Sequence, residues 1–404
     1  MSESKRILMI PGPTEIPWRV IRSMMKPSIA HYDPEFNIDV LDNLLQKLKK
    51  IFQTKNEVIA VPGSGRVALE ASIASVIEPN DKVLCIEAGV FGAWMTEMVK
   101  RVGGKPVAFQ VEWGKPINIE KLENLLKNEN FKALTIVHNE TTTGAMYPID
   151  KIGEIVKKYD VLYLVDTVSS LGGVDIKTDD WNIDLNMSAS HKCLAAPIGL
   201  SLISISKKGW ETMENRKTPP VTFSYDLLRW KKWWLPKERG GEAIWGWRRQ
   251  PITMPVHLVY ALDEAVNIIL EEGIENRFKR HKIAARAIRE GIKAIGLELF
   301  SDEEIASDTV TAVKIPNGIK DSELRNNMRK YGVIVSGGLE KLSGKIFRVA
   351  HMGMTASPEC ILPFFTALEL SLIKLGYKLK VGTGRDIAAE ILEEIATPTV
   401  ISPM

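Results

Sequence analysis

Between residues 57 and 206 short apolar runs alternate with amphipathic stretches. Val58–Val61, Lys82–Ile86, Pro106–Phe109, Ala133–Val137, Val161–Val165 and Gly199–Ser204 are dominated by Val, Ile, Leu and Ala, the signature of strands buried on both faces. Between most of them lie stretches with helical spacing of apolar residues, 66–77, 91–103, 118–127 and 150–159. Strand and helix repeated in this way predict a mainly parallel sheet covered by helices on both faces. Ligands of such sheets sit at the carboxyl ends of the strands.

Two long helical patterns, about 254–271 and 274–295, come next. They are followed by Thr309–Ile315, a helix near 320–330, Val333–Val335, Lys345–Ala350 and a helix near 358–374, which together predict a smaller α+β unit. The expected division is an N-terminal arm over 1–20, a large domain over 21–258, a small C-terminal domain over 259–395 and a loose tail over 396–404. That tail carries two prolines and no periodicity. Residues 221–249 hold five of the ten tryptophans, Trp230, Trp233, Trp234, Trp245 and Trp247, among Arg and Lys. Such a segment is expected to be buried in the fold or at a subunit contact.

A length of 404 residues suits two unequal domains. Lys and Arg number 53 against 50 Asp and Glu, a net charge of +3, and no run of like charges stands out. Electrostatics therefore give no case for nucleic acid or a membrane surface as partner. The first residues leave no room for the apolar region of a signal peptide, and no apolar stretch approaches the roughly 20 residues of a membrane helix. Cys85, Cys193 and Cys360 are too few and too scattered for a disulfide framework or a zinc site. No metal is expected, and the cytoplasm is the expected location.

The chemistry concentrates around Lys192, which lies among small residues in Met187-Ser-Ala-Ser-His-Lys-Cys-Leu-Ala-Ala-Pro197, 26 positions after an apolar strand that ends in Asp166. An acid at a strand end followed by such a lysine suggests a pyridoxal phosphate (PLP) site. The amine would carry the cofactor as a Schiff base, and the carboxylate would keep the pyridine nitrogen protonated so that the ring acts as an electron sink. Each residue alone also has a plain reading, a structural salt bridge for Asp166 and a solvated surface amine for Lys192. Gly63-Ser64-Gly65-Arg66 opens a helix after the first strand, where unpaired backbone N–H groups suit a phosphate, although the same turn is a common cap. Phe91 and Trp94 are rival aromatics for stacking on a planar cofactor. Thr141, in His138-Asn-Glu-Thr-Thr-Thr-Gly144, is a candidate donor to the phenolic oxygen. Arg348 is a single charge on an apolar strand, either a carboxylate clamp or half of a buried ion pair.

With these residues the chain resembles the class V (fold type I) PLP aminotransferases, most closely the alanine–glyoxylate, serine–glyoxylate and serine–pyruvate group, from Pro11-Gly-Pro13 to about residue 390. The resemblance implies pyridoxal 5'-phosphate as cofactor and a homodimer with shared active sites. Lys192 looks like the Schiff-base lysine, Asp166 the partner of the ring nitrogen and Phe91, in preference to Trp94, the residue over the ring. Thr141 matches a residue near the cofactor oxygen, Ser64, Gly65 and Arg66 match the phosphate cup, and Thr253 matches a residue reaching the phosphate from the other subunit. Arg348 matches the carboxylate-binding Arg, and Gly12 and His31 match positions near the substrate. The chain departs from the pattern at His191, where the family usually has Gln, at Arg66, often His or Thr, and at Gln250, often Tyr; each of these positions touches the phosphate cup.

The implied reaction is a ping-pong transfer of an amino group from serine or alanine to glyoxylate or pyruvate. Other stretches widen the choice. Ala350–Pro358 and Gly376–Gly384 resemble pyridoxamine–pyruvate aminotransferase, and Phe52–Asn56 resembles ureidoglycine–glyoxylate aminotransferase. A PLP-dependent lyase or desulfurase is the nearest rival reaction, and a desulfurase would need a mobile nucleophilic cysteine, which none of the three provides. A dehydrogenase would need a Gly-x-Gly-x-x-Gly turn that is absent, and a non-catalytic binding protein would be expected to have lost Lys192 or Asp166.

Overall fold

The computed structural model describes residues 6–242 and 248–395. The expected tail over 396–404, together with Trp245 and Trp247, lies outside them. The centre of the large domain is a seven-stranded sheet of β1 (Glu57–Gly63), β2 (Lys82–Glu87), β3 (Lys105–Gln110), β4 (Ala133–Val137), β5 (Leu162–Asp166), β6 (Leu185–Ala189) and β7 (Gly199–Ile205). Its order is β1-β7-β6-β5-β4-β2-β3, with β7 antiparallel to both neighbours and the other pairs parallel. The parallel strands thus all end at one edge. Six of the seven are the apolar runs that the sequence predicts.

The apolar pattern does not predict β6, because its sequence Leu-Asn-Met-Ser-Ala buries two polar side chains. Their polarity is satisfied internally. Asn186 accepts from Thr167 Oγ1 at 2.5 Å and donates to Thr178 Oγ1 at 2.8 Å, so burial does not leave its amide unpaired. Helices Gly65–Val76, Val90–Arg101 and Ile149–Lys158 pack on the sheet.

The small domain has three antiparallel strands, β8 (Val310–Lys314), β9 (Ser336–Gly337) and β10 (Ile346–Ala350), in the order β8-β10-β9. Around Phe347, Phe364, Phe365 and Leu368 it builds a core separate from that of the large domain. The helix Thr383–Leu392, which the sequence pattern does not announce, is fastened at its start by buried Glu369. That carboxylate accepts from the N–H groups of Gly382 at 2.5 Å and Gly384 at 2.7 Å.

The first described residues cross between the two units. Ile7–Leu8 pair in parallel with Val333–Ile334, and Met9 joins the small-domain core. The chain then passes Lys192 before the helix Trp18–Ser23 packs on the helix Val256–Glu272. Val256–Glu272 belongs to the core of the large domain, while the helix Ile274–Ala294 packs largely in the small one. In the Trp-rich segment, Trp230 and Trp234 are buried, and Arg248 lies over the Trp234 ring at 4.2 Å. No described helix is long and apolar enough to cross a membrane.

Leu164 is fully buried in β5, two positions before Asp166. Truncation of a core leucine leaves a cavity as well as losing transfer free energy. Leu164→Ala is therefore expected to cost about 2–5 kcal/mol, read as a lower denaturant midpoint.

Candidate active site

Five loops at the carboxyl edge of the sheet enclose a cavity of about 240 Å³. They follow β1, β2, β4, β5 and β6 and contribute, in turn, Ser64 to Arg66, Phe91 and Trp94, Asn139 and Thr141, Asp166 to Ser169, and His191 with Lys192. Eight of the residues singled out from the sequence, Ser64, Gly65, Arg66, Phe91, Thr141, Asp166, His191 and Lys192, thus line one space.

Ser64 precedes the helix Gly65–Val76 in extended conformation, and its hydroxyl makes no capping bond. The N–H groups of Gly65 and Arg66 and this hydroxyl are therefore available to an anion, while the Val67 N–H donates to the Ser64 carbonyl at 2.8 Å. Gly65 has no room for a side chain, since a Cβ would lie 2.8 Å from Val168. The Arg66 guanidinium stacks over Trp94 at 5.0 Å, and Trp94 meets Phe91 edge to face with centroids 5.0 Å apart. Both aromatics line the cavity and touch each other.

Asp166 is 5% exposed, and its Oδ1 accepts from the Val168 N–H at 2.8 Å. Among the described residues no cation lies within ion-pair distance of it. Burial pushes its carboxyl up to about 7, against the Val168 bond, and nearby Glu140 adds to the rise. Lys192 is lowered to about 8, mainly by burial, and donates to the Pro11 carbonyl. Burial also lowers His191 to about 4, which keeps its ring neutral, and its Nδ1 has no partner.

Gly12, Arg348, His31 and Thr253 do not line the cavity in this chain. Gly12 packs against the Lys192 side chain so closely that a Cβ would lie 2.5 Å from Nζ. Arg348, 6% exposed, donates from Nε to the Gly337 carbonyl at 2.9 Å and from Nη1 to the Thr141 carbonyl at 3.1 Å. His31 lies against Tyr32, with its Nδ1 buried and unpartnered, and Thr253 is exposed. Gln250 is buried against Asn37, to which it donates at 2.5 Å, and does not line the cavity.

Asn139 and Ser169 escape the sequence reading although both line the cavity. Asn139 Nδ2 donates to the Ser169 carbonyl at 3.1 Å and to Thr309 Oγ1 at 2.8 Å, which turns Oδ1 away without a partner. The one available signal was position, since both stand in the loops that carry Thr141 and Asp166. Glu140 was also missed. Buried between the loop after β4 and the helix Val90–Arg101, it accepts from the N–H groups of Phe91, Gly92 and Thr142 at 3.0–3.3 Å and so fixes the start of the helix that presents Phe91.

An unpaired buried carboxylate, a half-buried amine with a lowered pKa, an anion-ready helix terminus and a flat aromatic around one cavity fit pyridoxal phosphate. No described cluster of His, Cys, Asp or Glu could hold a metal. Fold and site define a PLP-dependent enzyme of fold type I. The chain belongs to the aminotransferase class-V family, whose pattern matches residues 8–354.

Similar proteins agree with this placement. An uncharacterized aminotransferase of Methanocaldococcus jannaschii is 43% identical over 96% of this chain and 98% of its own length. The crystal structure of ureidoglycine–glyoxylate aminotransferase from Bacillus subtilis superposes with a TM-score of 0.91 at 32% identity, covering 97% of this chain and 99% of that one. Pyridoxamine–pyruvate aminotransferase from Mesorhizobium loti gives a TM-score of 0.90 at 29% identity, covering 98% and 99%. The protein is a PLP-dependent aminotransferase acting on small amino and 2-oxo acids.

The buried carboxyl has a measurable consequence in the cofactor-free protein. Below its ordinary value of 3.8 Asp166 is protonated in both folded and unfolded chains, and its burial costs little. As pH rises from there to about 7 the folded state binds the extra proton, so stability falls; above 7 the full cost is present. Asp166→Asn without cofactor is expected to be more stable than the parent at pH 8, by on the order of 1–3 kcal/mol. That gain should vanish toward pH 4, and urea melts at the two pH values would show it. An equal gain at both would mean that the charge is not its source.

Proposed function

We propose that the protein transfers the amino group of a small polar amino acid to glyoxylate, with Lys192 and Asp166 carrying the chemistry. The observation that carries the reading is the placement of these two groups on one cavity, Asp166 buried and Lys192 half-buried, not paired with each other. Bound pyridoxal phosphate supplies an electron-withdrawing ring that takes up the charge left when a substrate α-proton departs.

The remaining work falls to the chain. Asp166, without an ion-pair partner among the described residues, would hold the proton on the ring nitrogen. Lys192 Nζ, with its pKa near 8, can both take and return a proton around neutral pH, which suits it to move the α-proton. Ser64, Gly65 and Arg66 hold the phosphate at the helix terminus, with neutral His191 adding a hydrogen bond. Phe91 packs on the ring face, and Thr141 serves the phenolic oxygen. Arg348 has Nε and Nη1 committed to carbonyls, which leaves Nη2 for the substrate carboxylate.

Gly12, packed beside Lys192, would bound the substrate side, and the family resemblance alone assigns His31 to the substrate. A second copy of the chain supplies Thr253 to the phosphate. Support for that partner comes from the exposure of Thr253 and of large apolar side chains, with Trp18 69% and Met25 79% exposed.

Glyoxylate is favoured because one cavity must take cofactor and substrate together. It is also the acceptor in the name of the Bacillus subtilis relative. That relative favours a donor with additional N–H groups, such as ureidoglycine, ahead of serine or alanine. Pyridoxamine–pyruvate transfer ranks lower, because an unphosphorylated ring has no use for the Ser64–Arg66 turn.

The test is a screen of ureidoglycine, serine, alanine and pyridoxamine against glyoxylate and pyruvate, ranked by kcat/KM. Highest turnover with glyoxylate and an N–H-rich donor is expected, and pyridoxamine as best donor would overturn the reading. Lys192→Ala is expected to lose turnover and the covalent attachment of cofactor that borohydride traps. Asp166→Asn should lower kcat by about 10²-fold or more.

A further inference from the structure

Behind the lysine lies a buried cluster that the reaction does not touch. Arg277, 4% exposed on the helix Ile274–Ala294, donates in three directions: from Nε to the Gly172 carbonyl at 2.8 Å, from Nη1 to Glu272 at 2.7 Å and from Nη2 to the Cys193 carbonyl at 2.6 Å. Arg280 shares Glu272 at 2.6 Å but turns the other way, to the carbonyls of Gly353 at 2.9 Å and Ala356 at 2.8 Å. Between them His281 accepts from the Gly353 N–H at 2.9 Å, and its Nδ1 lies 2.8 Å from the Arg277 carbonyl.

The segment held by Arg277 is a strained one. Lys192 opens a tight turn closed by the Ala195 N–H on the Lys192 carbonyl at 2.9 Å, and Ala195 has φ +55. A non-glycine residue there costs on the order of 1 kcal/mol or more, so the surroundings must enforce the turn. Two side chains grip its first two carbonyls. Thr14 Oγ1 donates to Lys192 O at 2.8 Å, and Arg277 donates to Cys193 O. Gly353 closes the remaining side, where a Cβ would lie 3.0 Å from that of Ala195.

We infer that Arg277 and Thr14 are positioning residues, which hold the Lys192–Cys193 carbonyls from two elements and thereby fix where the Lys192 amine stands in the cavity. The inference rests on the reading of Lys192 as the cofactor-bearing residue. An arginine is required because its planar fork supplies three separate directions at once, whereas a lysine ammonium keeps the charge opposite Glu272 but cannot reach both carbonyls. Arg280, equally tied to Glu272, does not touch the lysine turn and is the internal control. The charged or ionisable groups facing Lys192 are Asp166, His191, Arg348 and Cys193, and none is altered by the substitutions proposed.

The experiment uses the cofactor-loaded enzyme and follows the visible absorbance of bound cofactor against pH, alongside kcat, KM and the thermal midpoint. Arg277→Lys is expected to move the spectral midpoint by about one pH unit. It should also lower kcat by about 10–100-fold, with the donor KM changed less than about twofold. Arg280→Lys should lower thermal stability and leave the spectral midpoint in place. Thr14→Val, which removes only a hydroxyl, should move the midpoint in the same sense as Arg277→Lys, and it decides the matter if Arg277→Lys does not fold.

An unmoved midpoint in Arg277→Lys, an unmoved midpoint in Thr14→Val, or an equal shift in Arg280→Lys overturns the inference. A parent enzyme with no visible band, or a Lys192→Ala variant that keeps it, removes instead the underlying reading of Lys192.

Discussion

An amine and a carboxylate must share one poorly solvated cavity without neutralising each other, and most of the structure answers to that demand. Burial drives Lys192 down to about 8 and Asp166 up to about 7, so each is pushed toward its uncharged form. A direct ion pair would relieve both, yet none forms. The carboxylate is fastened to the Val168 N–H and the amine to the Pro11 carbonyl, on opposite anchors. Isolated buried charges of this kind cost several kcal/mol, which only a large surrounding core can tolerate. The parallel sheet supplies both the core and the common edge from which the two groups approach.

That edge explains why so many functional groups converge from distant parts of the chain. The β5 strand delivers Asp166 at its last residue, and the turn after β6 delivers Lys192; the two strands are neighbours, with Asp166 opposite Met187. Glu140, wedged between the loop after β4 and the helix Val90–Arg101, ties the position of Phe91 to that of Thr141 through three backbone bonds. Removing one loop would disturb the others, because the contacts run across the edge of the sheet more than along the chain.

Much of this was legible in the sequence, for a physical reason. Strands buried on both faces must be apolar throughout, so five of the seven stood out, and an acid at the end of such a run is conspicuous. The edge strand β3 reads as buried too, yet of its residues only Phe109 is. The β6 strand did not stand out because Asn186 satisfies its amide inside the protein, a fact held in Thr167 and Thr178 rather than in β6 itself. The same logic hid Asn139 and Ser169, whose relevance arises only when the β4 and β5 loops meet. Arg277 was invisible for a related reason. Its partners, Gly172, Cys193 and Glu272, span more than 100 residues of sequence, and on a helix its charge reads as one more solvated position.

The departures from the family pattern redistribute charge around the phosphate rather than remove it. Neutral His191 offers a hydrogen bond but no charge, since burial holds its ring near 4. The positive charge on this side of the cavity then comes from Arg66 and the helix terminus beneath it. Arg66 is exposed and held over Trp94 by its aromatic face, so its contribution is partly screened by solvent and depends on Trp94 staying in place. Trp94 in turn leans on Phe91, the face on which the ring would lie. In the proposed site, phosphate binding and ring stacking would therefore not be independent: a change at Trp94 would reach both Arg66 and Phe91 without direct contact with either reacting group.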